Sequence, residues 1–153
     1  MNVVSTDSLA AVLEKILSPE SVPDLFVFDK FNERRLAERV KLITEDPDKL
    51  INYVIRESNV VWKAVEAFAR RENDEGRDAL IEGVAVLPEL IGQLKDIPHR
   101  VVFIGNQGEN HKENIKRFAE QNDNDWMRDA GDQYISAFAV CVKRMSAYIE
   151  QES

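Results

Sequence analysis

Asp78-Ala79-Leu80-Ile81-Glu82-Gly83-Val84 is a nearly unbroken apolar run with one acid at its carboxyl end, and Pro88 follows shortly after it. Such a run predicts a strand, and a proline placed there predicts the first turn of a helix. On the N-terminal side, Met1-Asn2-Val3-Val4-Ser5-Thr6-Asp7 sets two β-branched residues before three that favour caps, a short strand ending in a polar turn. From Ser8 to Leu17, apolar residues recur at Leu9, Val12, Leu13 and Ile16, the spacing of one helix face. On the C-terminal side, His99-Arg100-Val101-Val102-Phe103-Ile104-Gly105 is a second, stronger β run between Pro98 and the turn Gly105-Asn106-Gln107-Gly108. Strands that alternate with helices predict a parallel α/β sheet.

The rest of the chain is mainly helical by pattern. Leu25-Phe26-Val27-Phe28 suits either a strand or the entry to a helix. Asn32 to Thr44 aligns Leu36, Val40 and Ile43 on one face. From Asp48, residues Leu50, Ile51, Val54, Ile55, Val61, Trp62, Val65, Phe68 and Ala69 keep a helical period until Asn73-Asp74-Glu75-Gly76 stops it. Asn110 to Asn122 carries Ile115, Phe118 and Ala119 on one side and His111, Lys112, Lys116 and Arg117 on the other. A polar break, Gln121-Asn122-Asp123-Asn124-Asp125, precedes a last periodic stretch from Trp126 to Ile149. With no repeat or low-complexity tract, one domain over residues 1–153 is expected.

Composition narrows the function. The 153 residues are 44% hydrophobic and 31% charged, enough for a real core, so fibrous and wholly disordered classes are excluded. A formal charge of −8 repels nucleic acid and anionic lipid, so neither is an expected partner. A lone cysteine, Cys141, forms no internal disulfide, and without C-x-x-C pairs the chain is expected to be a reduced, cytoplasmic protein. No basic leader region and no apolar run near the ~20 residues a bilayer needs are present. Cys141 is expected as a packed thiol, and Trp62 and Trp126 as core residues. His99 and His111 lack metal-pair spacing, and no metal site is expected. Glu72-Asp74-Glu75 and Asp123-Asp125 are expected as solvated helix ends.

Val3-Val4-Ser5-Thr6-Asp7-Ser8-Leu9, then Ala79-Leu80-Ile81-Glu82-Gly83-Val84-Ala85-Val86-Leu87-Pro88-Glu89-Leu90, then Val102-Phe103-Ile104-Gly105-Asn106 together resemble P-loop kinases of small molecules, in particular the 2-phosphoglycerate-kinase-like and zeta-toxin-like group. The resemblance implies a three-layer α/β fold of P-loop NTPase type with a mostly parallel sheet and a helix-rich remainder. It implies a strand order 2-3-1-4-5, ATP and Mg²⁺ as cofactors, and a small-molecule or nucleotide ligand. The departure is the phosphate-binding loop. G-x-x-x-x-G-K-[ST] surrounds the phosphates with backbone N–H groups and a lysine, and no Gly-Lys pair occurs here. The chain thus resembles the interior of a kinase cut at both ends, and on its own an inactive one. Without the central strand, the Leu80 and Val102 strands either pair directly or expose open edges, which predicts a homodimer or larger assembly.

The resemblance also implies roles. Asp7, at the carboxyl end of the first strand, would accept the substrate hydroxyl proton; the alternative is an N-cap of the following helix. Ala10 stands where the family often has a substrate-holding arginine. Glu82 would orient the Mg²⁺ shell or the attacking group near the γ-phosphate, or instead cap the turn at Gly83 or pair with an arginine. Lys112, Lys116 and Arg117 match a lid that neutralises transferring phosphate, whereas Glu109, Glu113 and Glu120 among them suit a solvated mixed-charge face. A reading of another class is a non-catalytic interaction module that uses its open sheet edges.

Overall fold

The computed structural model describes residues 1–106, 108–123 and 125–153. In it β1 (Asn2–Ser5) and β2 (Ala79–Glu82) pair in parallel, with Val3 opposite Leu80 and Ser5 opposite Glu82. The fold is therefore α/β, helix-rich, with a small parallel sheet. Side chains alternate across a strand, so Val3 and Leu80 share one face, where they are 63% and 48% exposed, while Val4 and Ile81 on the other are half-buried.

The β run at His99–Gly105 is not a strand: residues 101–105 lie in irregular backbone, with Val102 83% and Ile104 91% exposed. Of the two alternatives for the Leu80 and Val102 runs, direct pairing is absent with it. β propensity describes fit to a pleated, half-covered surface, and it yields no strand where no described residue supplies a ladder. Gln107, in the turn read after this run, and Asn124, in the polar break, lie outside the described residues.

The chain divides into two compact units. The first holds residues 1–30 and 52–102 with Ser153, and the second holds residues 31–51 and 103–152.

In the first unit, α1 (Thr6–Ile16) follows β1 without a loop and closes with the Leu17 N–H donating to the Leu13 carbonyl at 2.9 Å. Leu25-Phe26-Val27-Phe28 resolves as a helix entry: Pro23–Phe26 is a 3₁₀ turn that buries Leu25, and the short helix α2 (Asp29–Asn32) follows. The long helix α4 (Pro47–Asp74) buries Val61, Trp62 and Val65 along one stripe, as its period predicts. Gly76, at φ +65, and the Arg77 N–H bond to the Glu72 carbonyl (2.9 Å) end it. After β2, Ala85, Leu87, Leu90 and Leu94 are buried around the short helix α5 (Pro88–Ile91).

Glu72 corrects the expectation of a solvated helix end. It is buried, accepts from Arg77 Nε (3.0 Å) and Nη2 (2.7 Å) and from Asn2 Nδ2 (2.7 Å), and so ties the end of α4 to the start of β1. The Arg77 guanidinium foremost, helped by the Asn2 amide and opposed by burial, holds its pKa near 2.

In the second unit, α7 (Asp132–Glu152) packs on α3 (Leu36–Glu45) and α6 (His111–Gln121), burying Ile43, Ala119, Tyr134 and Ile135. The Arg39 guanidinium lies 5.3 Å over the Tyr134 ring. Cys141 is buried, and burial pushes its thiol up to about 11, as a packed thiol should behave. The last helix starts later than its periodicity suggests. The Asp125 carboxylate accepts from the Met127 N–H (2.7 Å), and two turn bonds, Arg128 N–H to Asp125 and Ala130 N–H to Met127, wind residues 125–130 before Asp132. Trp126 therefore stands outside the helix and is 65% exposed, not a core residue. Among the described residues no helix is long and apolar enough to cross a membrane.

Candidate functional site

The carboxyl end of the sheet is assembled by three adjoining residues of the S-T-D motif, each with a separate task. Ser5 ends β1 and is the N-cap of α1: its Oγ accepts from the N–H groups of Asp7 (3.1 Å) and Ser8 (3.4 Å). Thr6 is buried, and its Oγ1 accepts from the Ala85 N–H at 3.4 Å, which fastens the segment after β2 to the first turn of α1. Asp7 is left exposed in that first turn, where a carboxylate also suits the helix dipole. The capping role that was the alternative for Asp7 thus belongs to Ser5.

Glu82 closes β2 opposite Ser5, so Asp7 and Glu82 come together at one end of the sheet, where open α/β sheets place ligand groups. Glu82 is exposed and has no ion pair among the described residues. The next residue, Gly83, turns at φ +130, and a Cβ there would meet Thr6 Cβ at 3.0 Å and the Thr6 nitrogen at 3.2 Å. Only glycine takes that dihedral without strain, so this position fixes the close approach of the β2 turn to α1.

A further carboxyl joins this end from α4. Glu57 is half-buried, and burial foremost, then the charges of Glu14, Asp7 and Asp29, raise its pKa to about 7. A carboxyl whose pKa lies near neutrality and that feels the Asp7 charge suits proton transfer. Sequence reasoning alone misses Glu57. Its only signal there is that Glu57 and Ser58 interrupt the apolar stripe running from Val54 to Val61. Among the described residues no group of three or more potential ligands could hold a metal ion.

Lys112, Lys116 and Arg117 lie in the second unit, on α6. Lys112 Nζ donates to Asp132 Oδ2 at 2.6 Å and Lys116 pairs with the other oxygen of the same carboxylate. The two lysines hold Asp132 at a pKa near 2. Arg117 Nη2 donates to Asn114 Oδ1 (3.1 Å). Two of the basic residues on this face are therefore paired across to α7, and among the described residues no i, i+4 ion pair forms on α6. At the preceding turn, the Gly108 N–H donates to Asn106 Oδ1 at 2.8 Å.

These residues do not by themselves fit Mg-ATP. Two of the three lid cations are committed to Asp132, and the sequence contains no Gly-Lys pair to enclose the phosphates.

No family profile matches the chain, and no solved structure matches it. Curated archaeal proteins named 2-phosphoglycerate kinase are similar. That of Thermococcus kodakarensis is 30% identical over 95 residues, covering 62% of this chain and 31% of its own. That of Methanopyrus kandleri is 24% identical over 153 residues, covering 99% of this chain and 45% of its own. That of Methanococcus maripaludis is 26% identical over 157 residues, covering 99% and 48%. The chain thus spans less than half the length of these relatives, and its relationship to them is a distant, kinase-like one.

Proposed function

We propose that the chain belongs to the machinery of an ATP-dependent small-molecule phosphotransferase of P-loop type and supplies the acceptor side of the reaction. In this reading Asp7 takes the proton of the acceptor hydroxyl, Glu57 exchanges it with solvent, and Glu82 orients the attacking group. The observation that carries the reading is the placing of Asp7 and Glu82 at the same end of two adjacent parallel strands, β1 and β2, in a chain similar to kinases. The relatives' name makes 2-phosphoglycerate the first acceptor to test. Phosphoryl transfer depends on positioning and charge stabilisation of the phosphates, and the chain holds no phosphate loop, so alone it does not turn over.

The test is complementation. The chain is mixed with a polypeptide carrying the strand, G-x-x-x-x-G-K-[ST] loop and helix of a P-loop kinase, with Mg-ATP and 2-phosphoglycerate, and ADP release is followed. Release is expected from the mixture alone, falling roughly 100-fold or more with Asp7→Asn, the loss typical of a missing general base. Turnover by the isolated chain, or a mixture indifferent to Asp7→Asn, contradicts the proposal.

A second reading, a homodimeric or higher interaction module, is favoured by the uncovered Val3–Leu80 sheet face and by the unpaired run containing Val102 and Ile104. It expects concentration-dependent sedimentation that Val102→Lys weakens and that Asp7→Ala and Glu82→Ala leave alone.

A further inference from the structure

Within the second unit, α6, α7 and the turn between them line an open groove of about 500 Å³. Residues at helical spacing on α6, His111, Asn114 and Phe118, form one wall together with Arg117, and Trp126 and Phe138 contribute the other. A cavity of this volume, apolar with a few converging polar groups, has the anatomy of a small-molecule site.

Three features point to a ligand. His111 is only 5% exposed, yet its Nε2 is buried without a hydrogen-bond partner among the described residues, and leaving such an atom unpaired is costly. Trp126 and Phe118, two aromatics on this groove, are 65% and 61% exposed. The Trp126 ring is nonetheless fixed: Phe138 meets it edge-on at 5.4 Å between centroids and Tyr134 at 6.4 Å, a preset platform for stacking. Finally, Arg117 has no carboxylate partner among the described residues, in contrast to Lys112 and Lys116 on the same helix.

We infer that this groove binds a small planar aromatic monocarboxylate, its ring stacked between Trp126 and Phe118 and its carboxylate facing Arg117 and the His111 Nε2. One guanidinium and one imidazole suit a single negative charge. The Asp125 carboxylate on the same wall and the chain's net charge of −8 disfavour a di- or polyanion such as a nucleotide. This assignment is independent of the phosphotransferase reading, because its residues lie outside the Asp7 and Glu82 end.

Calorimetric titration with 2-naphthoate, its neutral amide 2-naphthamide, and AMP tests it. A site of this size and composition is expected to bind 2-naphthoate with a Kd of roughly 1 mM, from the ~0.3 kcal/mol per atom of ordinary ligands. The amide should bind about tenfold more weakly, as should 2-naphthoate to the Arg117→Gln chain, each having lost one charge-assisted contact. Trp126→Ala should weaken both naphthalene ligands by about tenfold, the low end of what loss of a stacking partner costs. Arg117 is exposed, so Arg117→Gln should melt where the parent does, whereas Trp126→Ala also loses the ring contacts to Tyr134 and Phe138 and should melt slightly lower while still unfolding cooperatively. The ¹⁵N resonance of His111 Nε2 should move on saturation with 2-naphthoate. Absence of heat up to about 10 mM 2-naphthoate, several times the expected Kd, overturns the inference. So do equal affinity for the amide, tighter binding of AMP, or affinities unchanged in both variants.

Discussion

Substituting Gly83 by alanine tests the geometry of the candidate site most directly, because the structure separates two costs that can be measured apart. The first is backbone strain: φ +130 is a region that residues with a Cβ enter at roughly 1–3 kcal/mol. The second is steric, since the new Cβ would come to 3.0 Å from Thr6 Cβ and 3.2 Å from the Thr6 nitrogen, and also against Thr6 Oγ1. Overpacking of this sort costs about 1–3 kcal/mol, so the sum is about 4 kcal/mol at the middle of the two ranges. For a chain of this size that corresponds to a Tm lower by roughly 8–16 °C. Two other glycines of the same unit act as references. Gly76 also has positive φ, +65, but nothing lies within 4 Å of where an alanine methyl would stand, so Gly76→Ala should cost only about 1–2 kcal/mol. Gly92 has φ −57 and only the flexible Lys95 side chain nearby, so Gly92→Ala should stabilise by about 0.5 kcal/mol. Urea denaturation of the three variants should therefore rank Gly92, Gly76, Gly83. Thr6→Ala removes the Oγ1 that Gly83→Ala would strike, so the double variant should be less destabilised than the sum of the two single ones by about 1 kcal/mol or more. Equal losses at Gly76 and Gly83, or strict additivity with Thr6→Ala, would refute the close packing of the β2 turn on α1.

Three further outcomes follow from the charges. Glu57 has a folded pKa of about 7 against an ordinary 4.5, so its neutral form is favoured in the fold; stability should fall as pH rises from about 4.5 through 7, and Glu57→Gln should flatten that part of the urea-midpoint profile. Glu72 behaves oppositely: with a folded pKa near 2, its contribution is full above about 4.5 and is lost as pH falls towards 2, so Glu72→Gln should destabilise at pH 7 and match the parent near pH 2. Asp132→Asn should lower the Lys116 pKa, which Asp132 raises foremost by hydrogen bonding, as an ε-ammonium NMR titration would report, while the melting temperature stays close to that of the parent because the pair is largely solvated.

Local pattern is sufficient wherever an element is stabilised by its own sequence neighbourhood. The stripe Val61, Trp62, Val65 buries as its period demands, and Ser5-Thr6-Asp7 ends a strand and opens a helix. Leu80 and Val3 are legible as strand residues because each finds the other. The run at Val101–Ile104 has the stronger composition and yet forms no strand, since a ladder is a property of two segments and the sequence of one cannot state whether its partner is present. Trp126 departs from its expected core place for a related reason. Its spacing from Met127 and Ala130 continues a helical stripe, but Asp125 captures the Met127 N–H and starts a turn, a side-chain competition that periodicity ignores. Glu72 and Glu57 are illegible in the sequence because each is made unusual by residues distant along the chain: Asn2 is 70 positions from Glu72, and Asp7 is 50 from Glu57.

The same dependence on distant partners decides how the two carboxylates at the sheet end should be understood. A parallel pair requires a long crossover, and here everything from α1 to α4 intervenes between β1 and β2, so the approach of Asp7 to Glu82 results from tertiary packing and not from local sequence. That packing is held at two points, at opposite ends of the strands. Asn2 and Arg77 on Glu72 secure the start of the sheet, and Thr6 against Gly83 and Ala85 secures its end. Neither Asp7 nor Glu82 has an ion pair among the described residues, although each stands on a segment whose backbone is pinned. Under the proposed phosphotransferase reading, these two carboxylates, carried on pinned backbone, would accept a proton and orient a substrate hydroxyl. If they served only to cap and solvate the sheet end, Glu82→Gln and Asp7→Asn would change stability and nothing else, whereas a catalytic frame requires them to suppress ADP release in the complemented mixture with the fold intact.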